Sequence, residues 1–327
     1  MVFFARHWFL CGLVVCLYLG HQFAEPLHGL GRTPWLTPSI VATVMFAMAL
    51  PLQFGQIQRV LRRPAAPILA SLISLGLAPL LAFPLASLLG SELGPGLIVA
   101  AATPCTLASA SVWTRKAGGN DAVSMLVTLL TNGLCFAVTP MWVRALIAPG
   151  RDAAFPIGPL MLQLLLTVLT PIVAAQLLRA RGPIATWATR HKTELGVYAQ
   201  LGVLTMVVIG IVQMTQRLSQ SGGAPLSAGI LVLCGAVVLA LHLLLFGVGW
   251  QGARWIEAPR ADRIAVGFSS SQKTLMVGLS AAMTLGLSVI PLVMFHLMQM
   301  VVDTILASWL KSAGEPLPES IVGWEQG

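Results

Sequence analysis

Lys273 stands in the middle of an apolar segment, roughly Ile264 to Leu287, directly after Ser269, Ser270, Ser271 and Gln272 and directly before Thr274. No other Lys or Arg of the chain lies so far from the ends of its apolar segment. An ammonium at the centre of a bilayer costs about 2.5–3.5 kcal/mol on insertion scales. A run of serines and glycines also weakens a continuous helix. Backbone that leaves helical geometry at such depth persists only where it is buried in protein or lines a wet cavity. The chemistry this points to is ion and anion binding. A break in a helix leaves C=O groups without partners on one half, which favour cations, and N–H groups on the other, which favour anions. The plainer alternative is a loop between two short helices with Lys273 at the water surface.

A second interruption lies at 102–111, which reads Ala-Thr-Pro-Cys-Thr-Leu-Ala-Ser-Ala-Ser. Pro104 cannot donate a backbone hydrogen bond and so frees a carbonyl one turn earlier. Thr103, Thr106, Ser109 and Ser111 offer hydroxyl ligands, or else bond back to their own helix. His296, Gln299 and Asp303 follow one another at i, i+3 and i+7, so one helix face carries all three. Asp303 is the only acidic residue well inside an apolar segment. It pairs with Lys273, relays protons with His296, or lies hydrated near the cytoplasmic end of its helix. His242, flanked by apolar residues, reads as a packing histidine, and Gly202, Gly210, Gly247 and Gly249 as sites of close helix approach. The tryptophans gather near the ends of apolar segments, as in an interfacial belt.

These residues need elements to hold them, and the composition says which. Of 327 residues, 57% are hydrophobic and 9% charged; the mean hydropathy is +0.85. Soluble domains carry about 25% charged residues, so this is an integral membrane protein. The net charge of +8 then belongs to loops on one membrane side and not to nucleic-acid binding. The five cysteines are scattered, with no CxxC pair or metal spacing. Trp8–Phe23 lacks a convincing cleavage site after it and reads as a first span and not a signal peptide.

A span takes about 20 mostly apolar residues. Ten segments qualify, roughly 4–22, 35–54, 66–89, 93–114, 120–147, 157–179, 194–215, 227–251, 263–286 and 289–311. With the N-terminus inside, the cytoplasmic loops hold Arg6, Arg59, Arg62, Arg63, Arg115, Lys116, Arg179, Arg181, Arg190, Lys192, Arg254, Arg260, Arg263 and Lys311. The other side holds Arg32, Arg144, Arg151 and Arg217. That bias places both termini in the cytoplasm, for a bacterial inner or plasma membrane. Ten spans divide into two halves of five, 1–152 and 153–327, which insert with opposite orientation, the inverted-repeat plan of many secondary transporters. Each half carries its polar interruption in its fourth span. Interrupted segments at corresponding places in two halves are the best sequence pointer to a transport site.

The residues at these interruptions resemble the bile acid:sodium symporter superfamily, and more closely its divergent SBF-like branch. The resemblance is carried by Thr103-Pro104, Ala108-Ser109, the run from Thr114 to Asn120, and Ser124, Thr128 and Asn132. Gly267-Phe-Ser-Ser-Ser-Gln-Lys-Thr-Leu275 and Phe295-His-Leu-Met-Gln299 carry it in the second half. It implies an all-α fold of ten transmembrane helices in two inverted repeats. Helices 3–5 and 8–10 would form a core, and helices 1, 2, 6 and 7 a panel. Helices 4 and 9 would unwind and cross, and substrate would bind between core and panel. It also implies an organic anion as substrate, such as a bile acid, steroid sulfate or plant organic acid, with sodium coupling in many members.

The departures from that pattern bear on coupling. The family's sodium-site glutamate on helix 9 falls on Gly267, its Gln-Asn pair on Ser271-Gln272, and the serine that follows on Lys273. The helix 3 glutamine falls on Ser74 and the helix 4 asparagine near Ser111. Only Ser124 and Thr128 match the sodium-ligating Ser and Thr of helix 5. A lysine within about 4 Å of sodium repels it by about 4 kcal/mol at an effective dielectric of about 20. The expectation is therefore a sodium-independent transporter of a small organic anion, with proton coupling, exchange or facilitated movement, and with no cofactor. Sodium symport is the alternative coupling. A membrane regulatory or scaffold protein on the same fold is the alternative function. An enzyme is not expected, because no His-Glu-x-x-His, Gly-x-Ser-x-Gly or mid-membrane aspartate pair occurs. The binding residues expected are Thr103, Pro104, Thr106, Ser109 and Ser111 of the first interruption and Ser269, Ser270, Ser271, Gln272, Lys273 and Thr274 of the second, with Asn120, Ser124, Thr128, His296 and Gln299, of which Ser124 and Thr128 are the residual sodium-site candidates.

Overall fold

The computed structural model describes residues 2–27, 29, 33–53, 60, 64–149, 156–220 and 226–313, and of 2–7 only the backbone. Of the loop charges counted above, Arg32, Arg59, Arg62, Arg63 and Arg151 lie outside the described residues, as does the side chain of Arg6. The boundary between the two proposed halves at 152/153 lies outside them as well.

Among the described residues the regular structure is helical. In chain order the helices are α1 (Val2–Gln22), α2 (Leu36–Ala49), α3 (Ala65–Ser87), α4 (Gly90–Ala102), α5 (Ser109–Lys116), α6 (Asp121–Leu146) and α7 (Ile157–Arg179). They continue with α8 (Gly182–Arg190), α9 (Lys192–Gln220), α10 (Ala228–Trp255), α11 (Arg260–Ser271), α12 (Leu275–Leu285) and α13 (Ile290–Ser312). Six of them, α3, α6, α7, α9, α10 and α13, are individually long and apolar enough to cross a membrane. Large apolar side chains such as Leu72, Met141, Leu177 and Val232 point outward. In water that surface would be unfavourable; against lipid it is matched. The chain is a multi-pass integral membrane protein.

Local chemistry sets the helix ends. Asn120 caps α6 by accepting from the Ala122 amide at 3.2 Å, and Ser227 caps α10 by accepting from Ile230. Gly286 ends α12 at φ +67, a left-handed stop that a side chain disfavours. In α3 the turn Ile73–Leu77 widens to a π-turn. The Ala78 amide bonds to the Ile73 carbonyl there, so it no longer serves Ser74. The next residue, Pro79, has no N–H to offer either Ser74 or Leu75. Two consecutive carbonyls in mid-helix are thereby left for partners from elsewhere.

Packing sorts the helices. α1 lies on α9, α9 on α2, and α2 on α7. On the other side α10 lies against α11 and α13, α11 against α3 and α6, and α4 against α13 and α6. Small residues permit the closest approaches. A Cβ on Gly202 would meet Val44 Cγ2 at 2.3 Å, and one on Gly249 would meet Ser270 Oγ at 2.8 Å. Gly247, expected to act in the same way, faces open space instead, with nothing within 4 Å of such a Cβ.

Candidate functional site

The α4–α5 and α11–α12 pairs are each one apolar stretch divided by extended backbone. Thr103 has ψ 155, Gln272 ψ 137 and Thr274 ψ 123. The two breaks meet: the Thr274 amide donates to the Pro104 carbonyl at 3.0 Å. Around that link several carbonyls freed by the first break find donors. Thr139 Oγ1 donates to Ala102 at 2.8 Å, Asn132 Nδ2 to Cys105 at 2.8 Å, and Thr128 Oγ1 to Thr106 at 2.9 Å. Three donors on α6 thus hold the first break open where a continuous helix would have satisfied it internally.

Gln272 ties the second break to the first. Its Oε1 accepts from Thr106 Oγ1 at 2.6 Å and from Ser109 Oγ at 2.8 Å, and its Nε2 donates to Asp303 Oδ2 at 2.6 Å. Gln299 does the same for the backbone of Lys273, accepting from its amide at 2.9 Å and donating to its carbonyl at 3.0 Å. The Lys273 side chain is buried, which removes the water-surface reading. Its Nζ donates to the Ser74 carbonyl, to Ser74 Oγ at 3.2 Å and to the Thr103 carbonyl at 3.2 Å. These three oxygens use all three ammonium donors. Among the described residues no carboxylate comes within ion-pair distance of Lys273. The Ser74 carbonyl is one of the pair released by the π-turn and Pro79; the other, Leu75, accepts from Trp142 Nε1 at 2.6 Å.

Asp303 is not hydrated at a helix end. It is fully buried, accepting from Gln272 and lying 2.9 Å from His242 Nε2. Nor does it meet Lys273 or His296. His296 instead sits 2.9 Å from Gln299 Nε2 and packs edge-on against Phe9. His242 does more than pack, since its Nδ1 lies 3.3 Å from the Ser271 carbonyl at the end of α11.

Other expected site residues are placed differently. Asn120 is the α6 cap and bonds to Asp262 at 2.8 Å, apart from the cluster. Ser124 pairs with Thr114 at 2.7 Å, and Ser111 accepts from Arg115. Ser269 and Ser270 are buried with hydroxyls that have no partner, and Ser271 bonds back to Gly267 and Phe268. Thr131, Thr139 and Pro79 are not among the residues expected from the sequence to serve the site. The signal for Pro79 was present, because a proline in mid-span removes a donor from the carbonyl four residues earlier. Beside the first break, α6 and α7 flank a half-open cavity of about 280 Å³ with mostly apolar walls, lined by Leu107, Thr128, Asn132, Ile172 and Gln176 among others. Asn132 Oδ1, buried there, has no partner.

A family model described as the SBF-like CPA transporter family matches residues 7–312. The chain belongs to the SBF-like CPA transporter family. The resemblance read from the interruptions is thus borne out, and the chain is a membrane transporter by family. "Sodium/bile acid cotransporter 7" of Rattus norvegicus is 26% identical over 325 residues, covering 94% of this chain and 93% of that protein. "Probable sodium/metabolite cotransporter BASS4, chloroplastic" of Arabidopsis thaliana is 27% identical over 235 residues, covering 67% of this chain. The chain spans about half the length of that chloroplast relative, 53%.

Proposed function

We propose that this chain is a secondary transporter for a small organic anion that works without sodium, with the Lys273 ammonium standing where a coupling cation would otherwise sit. The observation that carries the reading is the contact of Lys273 with Ser74. In the family pattern both positions hold polar sodium-site residues, a serine and a glutamine. Here one has become a cation and the other its acceptor, with the Thr103 carbonyl completing an oxygen shell around Nζ. The residual candidates fit sodium poorly. Thr128 Oγ1 donates to a carbonyl and Ser124 is paired with Thr114, while Gln272 has both ends of its amide engaged. Sodium prefers free anionic and carbonyl oxygens, and an ammonium within about 4 Å repels it by about 4 kcal/mol at an effective dielectric of about 20.

The same lysine argues for an anionic substrate. Its charge is met by neutral dipoles, two carbonyls and the Ser74 hydroxyl, and beside it α12 begins at Thr274 with no side-chain cap, so the positive end of that helix adds to the field. The cavity between α6 and α7 supplies an apolar wall with Asn132 and Gln176 as polar points, suited to an anion with an apolar body. In this reading the chain has ten spans in two inverted repeats, α4–α5 and α11–α12 each making one broken span. The core is α3–α6 with α10–α13, the panel α1, α2, α7 and α9, and both termini face the cytoplasm of a bacterial inner membrane. Alternating access is movement of one body against the other around the crossed breaks.

Uptake of a mixed organic-anion panel into proteoliposomes tests this, with sodium and proton gradients imposed separately and Lys273→Ala beside the native chain. Uptake without sodium that disappears in the variant is the expected result. Uptake that requires sodium and survives the substitution overturns it.

A further inference from the structure

The two nitrogens of His242 face two oxygens that constrain each other. Nδ1 lies 3.3 Å from the Ser271 carbonyl, and Nε2 lies 2.9 Å from Asp303 Oδ1. A carbonyl only accepts, so the Nδ1 contact is a hydrogen bond only when Nδ1 carries a hydrogen. A neutral imidazole has one N–H, which leaves Nε2 with a lone pair. If Asp303 is an ionised carboxylate, that lone pair would face another at 2.9 Å. The arrangement is satisfied only with one more proton on the pair, either as imidazolium against carboxylate or as neutral imidazole accepting from a carboxylic acid. Both side chains are fully buried, so bulk solvent does not reach the pair.

The pair also touches both ends of the second break. Ser271 ends α11, and Asp303 Oδ2 accepts from Gln272 Nε2, whose Oε1 is held by Thr106 and Ser109 of the first break. We propose that His242 and Asp303 form a buried proton-binding site that must hold one proton in this arrangement of the breaks, and that its loading and release couple proton movement to anion movement. The coupling rests on the transport reading above; the proton site does not. On release, the proton leaves the pair for solvent, Nε2 and Oδ1 repel, and the strain falls on Ser271 and Gln272, the residues that lock the two breaks together.

Among the described residues the surroundings offer no closer substitute. Of the helices packed against α10 and α13, α3 and α12 carry no titratable side chain. The break brings Lys273, held by Ser74 and Thr103, and α13 brings His296, about two turns from Asp303. Glu92 of α4, Arg115 and Lys116 of α5, Arg254 of α10, Arg260, Asp262 and Arg263 of α11 and Lys311 of α13 lie at the ends of their helices. Cys234 is about two turns from His242 on α10. Cys11, Cys16, Tyr18 and His21 are on α1, which reaches α13 but is absent from the main contacts of α10.

The test is a titration of the whole chain in lipid nanodiscs, labelled with 15N-histidine and 13C-carboxyl aspartate, from mildly acid to alkaline pH. His242→Gln and Asp303→Asn assign the signals. The expected result is one shared step, in which the His242 ring nitrogens and the Asp303 carboxyl move together. Independent steps, or a singly protonated His242 beside an ionised Asp303 throughout, overturn the site; the native chain alone decides this even if a variant fails to fold. A second arm measures uptake of the organic-anion panel. A proton gradient should drive uptake by the native chain, and Asp303→Asn should lose that response. Uptake indifferent to the gradient overturns the coupling. No uptake under any gradient overturns the transport reading and the coupling with it, and the titration still decides the proton site.

Discussion

The amide of Thr274 donates to the carbonyl of Pro104 at 3.0 Å, so the two interruptions of the chain are joined backbone to backbone. Pro104 has no N–H of its own to continue α4, and Thr274 opens α12 from extended backbone. Each break therefore supplies what the other lacks.

Thr274→Pro removes that donor and little else. The φ of −79 at this position suits proline, and the Thr274 side chain makes no capping bond. Leaving the Pro104 carbonyl buried without a partner is expected to cost about 1–3 kcal/mol. Thermal unfolding of the variant should show a lower midpoint than Thr274→Ala, and equal midpoints would mean that the link carries no weight.

Gln299→Leu tests the second support of the break. It strips partners from both the amide and the carbonyl of Lys273 while keeping the volume apolar. With two buried backbone groups unmet, the loss should reach roughly 2–4 kcal/mol. Denaturant or thermal unfolding in detergent checks it; a loss under about 0.5 kcal/mol, the size typical of uninvolved surface changes, counts against the bridge.

Lys273→Met separates function from stability. The substitution leaves the Ser74 and Thr103 carbonyls without this donor, at about 1–3 kcal/mol each. It also removes a buried charge whose desolvation penalty is about several kcal/mol. The two effects oppose each other, so the unfolding midpoint should move less than in Gln299→Leu. Anion uptake should nevertheless be lost. A variant that transports normally would make Lys273 a packing residue.

Two glycines should respond with opposite sign. A Cβ on Gly96 would lie 2.5 Å from the backbone oxygen of Ser288, which cannot move aside cheaply, so Gly96→Ala should destabilise by about 1–3 kcal/mol. Gly247 has nothing within 4 Å, and Gly247→Ala should stabilise α10 by about 0.5–1 kcal/mol through helix propensity. Midpoints of the two variants measured side by side check both.

Much of the site was legible along the chain because its signals are local. A lysine amid serines in an apolar segment, and a proline amid threonines in another, mark breaks through the rules of helix chemistry alone. Gln272 and Gln299 were nominated as ligands, yet their work as bridges could not be read, since Gln272 reaches residues 163, 166 and 31 positions away. Asp303 misled for the same reason: its place near the cytoplasmic end of its helix suggested hydration, whereas its partner His242 lies 61 positions earlier. Asn120 misled in the other direction, because its place in a motif concealed a local role as a helix cap.

By itself the sequence determined that this is a helical membrane protein, that two of its apolar segments are interrupted, and to which family it belongs. Apolar run length, proline and charge placement act residue by residue and need no partner to take effect. Only the tertiary structure decided what the buried polar groups are for. A carbonyl, an ammonium or an imidazole inside a membrane must find its partner within the protein, and which partner it finds depends on the helices that packing brings alongside. Lys273 against Ser74 and His242 against Asp303 are decided there, by contacts spanning 199 and 61 residues of chain.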